Sequence, residues 1–156
     1  MVGHTEDALI QIINTFYIIS AEVTSEDGDI VLEKFTTLTY PGQLPGGTMG
    51  FNHHGLVHTM NSIFPKEAFP SRTPHLFLTR AMLRAQNLRQ IEELFLDEGS
   101  GTADGFSINL VVAEGKFGEN PALYNIEISP NQKGKAESEI NIQEISKGQC
   151  YSHCNQ

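Results

Sequence analysis

The chain has 156 residues and a formal net charge of −9, with 39% hydrophobic and 19% charged residues. This length is enough for one domain with a hydrophobic core, and the composition is that of a globular rather than a disordered protein. The acidic charge argues against nucleic acid and against an anionic membrane as partners, because both require a basic surface. The sequence has no apolar run near the ~20 residues that span a bilayer, and its first residues lack the basic-then-apolar order of a signal peptide. We therefore expect a cytoplasmic protein in a reducing setting.

Two strands are predicted at the start of the chain. Residues 8–23 carry isoleucine and aromatic side chains at both alternating positions, as a strand buried on both faces does. The EDGD stretch at 26–29 supplies a turn in which Gly28 is free to take a positive φ. Residues 31–40 are predicted as the second strand, because threonine and phenylalanine favour a pleated surface.

Three histidines lie in the next predicted hairpin, whose strands are residues 49–51 and 56–64. The NHHG tetrapeptide between these strands is polar and ends in glycine, which is typical of a hairpin turn. We therefore expect His53 and His54 at an exposed turn tip and His58 on the second strand. A metal site built from the three histidines is the alternative interpretation, and the turn chemistry favours the hairpin.

A helix pair is predicted next in the chain. The TP dipeptide at 73–74 is a typical N-cap followed by proline at the first helical position, and residues 76–85 continue without glycine or proline. Asn87 and Gln90 form a capping-box-like opening of a second helix that runs through Leu96, with Gly99 expected at the usual position just after its end. Solvated helix faces are expected to carry the arginines of this pair (Arg80, Arg84 and Arg89).

Strands resume after the helices and complete the fold prediction. Residues 106–113, 123–128 and 139–145 alternate as strands do, and a polar turn at 131–138 separates the last two. The short connections predict an antiparallel sheet with helices on one face, a layered α+β domain that spans residues 1–156 as a single unit. The final GQCYSHCNQ stretch resembles a strand that is cut short.

The two cysteines, Cys150 and Cys154, lie close together near the C-terminal end. Two cysteines cannot brace a domain of this size, so we expect free thiols. With His153 they form a possible zinc set, but a fourth ligand at a familiar spacing is absent. We therefore expect neither a metal nor a cofactor.

Four stretches taken together resemble one family. They are GHTED at 3–7, GFNHHGLVHTMN at 50–61, YNIEISP at 124–130 and SHCN at 152–155. In this order, with the helix pair between the second and third, they are similar to the penicillin acyltransferase family of N-terminal nucleophile (Ntn) hydrolases. Within the family, the chain most resembles the animal branch that hydrolyses β-alanyl amines.

The resemblance implies a fold and a mechanism. The implied fold is a sandwich of antiparallel sheets with helices outside, in the layer order αββα. The implied proenzyme cleaves itself before a cysteine, which becomes the N-terminal nucleophile and is served by its own α-amino group as the base. The acyl group is held as a thioester and passes to water or to another acceptor. Hydrogen-bond donors must stabilise the oxyanion of the tetrahedral intermediate.

The resemblance also implies three site residues. Asp7 matches the aspartate of the family's G-x-N-x-D motif, which orients the terminus of the nucleophile, although Thr5 stands where the family usually has asparagine. Asn61 matches the asparagine that closes the hairpin motif and lines the active site. Asn155 matches the asparagine of the late H-x-N motif and is the candidate oxyanion donor. In the histidine-rich stretch, the important residue is therefore predicted to be Asn61.

The cysteine that the resemblance requires is absent, because the chain begins six residues before Asp7. We therefore expect a fragment of a larger hydrolase, truncated at both ends, whose partner is the missing N-terminal part of the same precursor. The implied substrate is a small-molecule β-alanyl amine, such as a conjugate of dopamine or histamine. Two alternatives remain open, an acyl transferase that uses coenzyme A thioesters and an inactive fragment or pseudoenzyme.

Overall fold

The computed structural model describes residues 2–6, 10–113 and 121–152. Within them, seven strands form one antiparallel sheet in which each strand pairs with its neighbours in chain order. The strands are β1 (Tyr17–Thr24), β2 (Val31–Thr39), β3 (Met49–Asn52), β4 (Leu56–Ile63), β5 (Gly105–Val112), β6 (Ala122–Pro130) and β7 (Ser138–Glu144), and the helices are α1 (His75–Met82) and α2 (Leu88–Leu96). The prediction of an antiparallel α+β fold is confirmed.

The core lies between the two helices and one face of the sheet. Ile91 and Phe95 of α2 are fully buried and belong to the same cluster as the alternate residues Phe106, Ile108 and Leu110 of β5. The rings of Phe95 and Phe106 meet edge to face, with 5.1 Å between centroids. Because every second residue of a strand points to the same face, the intervening residues of β4, β5 and β6 face away from the helices. The described residues thus supply one helical layer and one sheet of the predicted sandwich.

The two predicted turns at 26–29 and 52–55 are confirmed. Gly28 and Gly55 take φ values of 81° and 84°, in the left-handed region that glycine enters without strain. Asn52, at the end of β3, is buried and ties the hairpin to the end of α1. Its Nδ2 donates to the carbonyl oxygens of Leu83 and Ala85 at 3.1 and 2.7 Å. The hairpin therefore has a fixed position relative to the helices.

The prediction of a doubly buried strand over 8–23 is wrong in the described residues. Ile10–Ile12 is a short 3₁₀ turn, Asn14 has a φ of 65°, and β1 begins only at Tyr17. Within the described part of the chain, β1 pairs with β2 alone, and most of its side chains are exposed. Its isoleucines therefore lie at a sheet edge, a position that composition does not reveal.

The helix ends differ in part from the prediction. Asn87 caps α2 as expected, with its Oδ1 accepting from the backbone N–H of Gln90 at 3.0 Å. Thr73 does not cap α1, because its hydroxyl pairs with that of Ser100 at 3.1 Å and the helix begins after Pro74. At the other end of α2, Asp97 takes the left-handed conformation with a φ of 47°, two residues before the predicted Gly99.

Arg80 is the exception among the arginines that were expected on solvated faces. Its Nη1 lies 2.8 Å from Oε2 of Glu33, and its guanidinium stacks 4.9 Å from the ring centre of Phe35. These contacts fasten α1 to β2. Arg89, by contrast, is exposed and pairs with Glu93 along the helix.

The segment after β7 forms no strand as far as residue 152, contrary to the prediction of a truncated strand. It turns at 146–149, where Gln149 N–H bonds to Ser146 O at 3.0 Å. Among the described helices, none combines the length and apolar character that a membrane crossing needs.

Candidate active site

Asn61 lies on the face of the sheet that points away from the helices. It is directly opposite Ser107 of β5, which is opposite Glu127 of β6, which is opposite Asn141 of β7. Residues paired in this way share a face, so the four polar side chains form one row across four strands. The neighbour Met60 points the other way, into the core. The predicted site residue thus belongs to a polar surface.

The next polar row is joined to the first by hydrogen bonds. Nδ2 of Asn125 donates to Ser107 Oγ and to Asn109 Oδ1, each at 3.0 Å. Nδ2 of Asn109 donates to Thr59 Oγ1 at 3.3 Å. We call Thr59, Ser107, Asn109 and Asn125 the amide ladder. Asn125 is 2% exposed, and a buried amide whose donors are both used holds its neighbours in fixed rotamers.

The amide of Asn61 is different, because it is not engaged in this network. Its side chain is half-buried, and within residues 2–6, 10–113 and 121–152 it makes no hydrogen bond. It lies two residues along β4 from Thr59, which places the two Cα atoms about 6.6 Å apart. An amide with unused N–H groups beside a rigid polar network is suited to bind an oxygen of a ligand or intermediate.

A cavity of about 300 Å³ adjoins the amide ladder. Asn109 and Leu123 of the sheet line it, together with Val2 and Gly3 from the start of the chain and residues 149–151 from the end. This volume lies at the lower end of the range for small-molecule sites. Among its described lining residues there is no lysine or arginine. The cavity therefore brings both described ends of the chain to the polar face.

Asp7 and Asn155 themselves lie outside the described residues, so their predicted roles stay predictions. The described residues before Asp7 include His4, whose Nε2 lies 2.8 Å from Glu6 Oε2. Before Asn155, Tyr151 donates from its hydroxyl to Glu127 Oε1 at 3.1 Å. The pKa of Tyr151 is raised by burial, and then by the hydrogen bond to Glu127 and its negative charge.

The three histidines of the hairpin do not converge on one point. His53 and His54 lie in the turn as predicted but are half-buried rather than exposed, with 3.7 Å between ring centroids and 41° between ring planes. His58 is buried on the core side of β4. Nε2 of His58 donates to Gly46 O at 3.2 Å, and burial lowers the pKa of the ring to about 4. Among the described residues, no group of three or more histidine, cysteine or acidic side chains is placed to hold a metal. Cys150 is exposed, and the rest of the possible zinc set, His153 and Cys154, lies outside the described residues.

The sequence predicted Asn61 as a site residue but did not predict the amide ladder or the position of Glu127. The available signal was the alternation inside FSINL and YNIEIS, where polar residues occupy every second position between buried apolar ones. Polar residues at every second position predict a face that is not packed against helices. The alternation does not reveal which of these side chains bond to one another, because that depends on the register between β5 and β6.

Comparison with known proteins identifies the family. The family model of acyl-coenzyme A:6-aminopenicillanic acid acyl-transferase matches residues 1–156. The beta-alanyl-dopamine/carcinine hydrolase of Drosophila melanogaster is 38% identical over 162 residues, covering 100% of this chain and 41% of that protein. Among solved structures, a variant of the conjugated bile acid hydrolase from Clostridium perfringens superposes with a TM-score of 0.49 and 11% identity, covering 84% of this chain and 43% of that one. The chain belongs to the acyl-coenzyme A:6-aminopenicillanic acid acyl-transferase family, as its motifs predicted.

Proposed function

We propose that this chain is part of an amide hydrolase that releases β-alanine, or a similar small acyl group, from a biogenic amine. The proposal is supported by the 38% identity to the Drosophila hydrolase along the whole chain. The chain spans only 41% of that relative, so its substrate and activity are carried over as a proposal. The chain is proposed to be a single domain within the catalytic region, completed by the N-terminal part of the same precursor.

The proposed nucleophile is a cysteine encoded upstream of Met1, which self-cleavage makes N-terminal. Its α-amino group takes the thiol proton, and the sulfur attacks the amide carbonyl carbon to form a tetrahedral intermediate. Collapse of the intermediate breaks the C–N bond, the amine leaves with a proton, and a thioester remains. Water then attacks the thioester, which releases the acid and restores the thiol. A reducing, cytoplasmic setting would keep this thiol available.

The observation that carries the proposal is the unengaged amide of Asn61 beside the amide ladder. An oxyanion develops only after the sulfur attacks, so a donor for it must be fixed in place yet have an unused N–H. Pairing of β4 with β5 fixes the backbone of Asn61 opposite Ser107, and its side-chain N–H groups make no hydrogen bond among the described residues, which supports this role. In this proposal Asn155 supplies a second donor. Asp7 orients the new N-terminus. The acidic net charge of −9 also suits the protonated amines that such conjugates carry or release.

The first test is to find the upstream cysteine and then to replace Asn61. A Gly-Cys pair shortly before Met1 in the gene is expected. In the polypeptide that includes it, Asn61→Ala should lower kcat about 10²–10³-fold on β-alanyl amines, as loss of an oxyanion donor does elsewhere. Mass spectrometry must first show the processed N-terminus in every variant.

Asn141→Ala is the matched control for Asn61→Ala. Asn141 lies in the same row of the sheet face, but it is exposed on β7, three strands from Asn61. Its loss should leave kcat within about twofold, since surface substitutions usually have small effects. Equal kcat values for processed Asn61→Ala and the wild type would overturn the proposed role of Asn61. Absence of all turnover in the processed wild type would instead favour the pseudoenzyme alternative.

Acyl transfer from a coenzyme A thioester is the second candidate, and the description of the family model favours it. Coenzyme A carries several phosphates, which proteins usually bind with lysine or arginine. The described lining of the cavity contains neither. We therefore rank hydrolysis first. Incubation with β-alanyl-coenzyme A and dopamine decides between the two, because a transferase forms the amide and a hydrolase forms only free β-alanine.

A further inference from the structure

Glu127 and Tyr151 join the centre of the sheet to the end of the described chain. The hydroxyl of Tyr151 donates to Oε1 of Glu127 at 3.1 Å, across 24 residues of sequence. Glu127 is opposite Ser107, and Ser107 is opposite Asn61, so this contact is made in the same row as the candidate donor. Neighbouring strands are about 4.8 Å apart, which puts Glu127 about 10 Å from Asn61 between Cα atoms.

The segment that carries Tyr151 returns to the sheet through a tight turn. After β7, Ile145 N–H still bonds to Leu123 O at 2.8 Å. The turn is then closed by two local bonds between Ser146 and Gln149, each at 3.0 Å. Residues 149–151 line the cavity beside the amide ladder. The Tyr151–Glu127 bond thus comes where the chain has turned back over the polar face.

The distances connect this contact to the predicted donor Asn155. Four residues separate Tyr151 from Asn155, and an extended chain advances at most about 3.6 Å per residue. Four residues of chain therefore reach at most about 14 Å from Tyr151, while Asn61 is about 10 Å from Glu127. An anchor at Tyr151 limits where the H-x-N motif can lie relative to Asn61. Without the anchor, the exposed segment 146–152 would be held to the sheet by fewer contacts.

We propose that Glu127 and Tyr151 are a positioning pair that holds the segment leading to Asn155 against the face that carries Asn61. This inference rests on the proposed function, since it assigns the pair to the assembly of the two oxyanion donors. Neither side chain is assigned a direct contact with the substrate. Glu127 acts through its carboxylate oxygen as the acceptor, and Tyr151 through its hydroxyl as the donor.

The first experiment measures kinetics in the processed polypeptide that includes the upstream cysteine. Glu127→Ala and Tyr151→Phe should each lower kcat about 10-fold or more and change KM less, because misplaced donors affect the transition state most. The double variant should be no worse than the poorer single variant, since the two residues act through one bond. Glu127→Gln, which keeps an acceptor oxygen, should retain most of the activity. Glu139→Ala, an exposed carboxylate on the same face in β7, is the matched control.

The second experiment needs no activity and uses the 156-residue chain. Hydrogen exchange of the amides at 146–152 should be faster in Glu127→Ala and in Tyr151→Phe than in the wild type, and unchanged in Glu139→Ala. Spectrophotometric titration should show the Tyr151 phenol ionising at lower pH in Glu127→Ala than in the wild type. If exchange at 146–152 is faster in both single variants but the processed wild type is inactive, the Glu127–Tyr151 anchor stands and the proposed function is rejected.

Two results would overturn the positioning pair. The first is an amide exchange rate at 146–152 that is the same in both single variants as in the wild type, because the segment would then be held without the Tyr151–Glu127 bond. The second is a pair of kcat losses that multiply in the double variant, because the two residues would then act independently.

Discussion

His58 makes a quantitative prediction about the pH dependence of stability. The ring is buried on the core side of β4, and burial lowers its pKa to about 4, with a further lowering by the charge of His4. In the unfolded chain the same ring titrates near 6.5. Between these two pH values the His58 ring is protonated in the unfolded state but neutral in the folded state. The contribution of the neutral His58 ring to the free energy of unfolding is therefore fully present above pH 6.5 and is lost as the pH falls from 6.5 towards 4.

The size of this effect follows from the difference between the two pKa values. One pKa unit corresponds to 1.36 kcal/mol, so a difference of about 2.5 units removes about 3 kcal/mol from the free energy of unfolding. Domains of this kind have about 5–15 kcal/mol in total, so the effect is large enough to shift a denaturation midpoint clearly. Carboxylates titrate in the same pH range. A variant in which residue 58 does not titrate is therefore needed to separate the effect of His58 from theirs.

His58→Gln is that variant, because the glutamine amide can still donate to Gly46 O and does not titrate. Urea denaturation of both proteins at pH 7.5, 6.5, 5.5 and 4.5 gives the free energy of unfolding at each pH. The difference between wild type and His58→Gln should move by about 2.5 kcal/mol against the wild type from pH 7.5 to 4.5, slightly less than the full effect because pH 4.5 is still above the folded pKa. Parallel curves for the two proteins would refute the reasoning, because His58 would then bind its proton equally in both states.

Four further predictions concern the hairpin and the site. Asn52→Ala should lower the free energy of unfolding by about 2–4 kcal/mol, because it removes four hydrogen bonds of a buried amide. Denaturant unfolding measures this loss, and a value below about 1 kcal/mol would contradict the prediction. Replacing both His53 and His54 with asparagine should leave folding and metal content unchanged; loss of stoichiometric zinc by elemental analysis would show a metal site. Asn155→Ala in the processed polypeptide should lower kcat about 10²–10³-fold with little change in KM, and near-normal kcat would make this residue a structural amide. The 156-residue chain alone should not hydrolyse β-alanyl amines; turnover that is lost on changing Cys150 would show that no upstream cysteine is needed.

Local sequence predicted the elements whose cause is local. The asparagine cap of α2 and the glycines of the two turns were identified correctly, since each depends on residues within three or four positions. The strands β2 to β7 were found because alternation and turn chemistry agreed. The prediction that α2 runs through Leu96 is confirmed, but the left-handed position after it is Asp97 rather than Gly99, because aspartate can also adopt this conformation, although glycine does so more easily.

By itself, then, the sequence determined the order of strands and helices, the α+β class and, through four motifs, the family. It also predicted Asn61 as a site residue, because the motif that contains it is contiguous, and that role stays a prediction. Only the tertiary structure decided that β1 lies at the edge of the described sheet, that Arg80 pairs with Glu33, and that the amide of Asn125 donates to that of Asn109. Each of these outcomes depends on which distant segments meet and in which register. A one-residue shift in the register between β5 and β6 would turn Asn125 towards the helices and break the hydrogen bonds of the amide ladder, although the sequence of each strand would be the same.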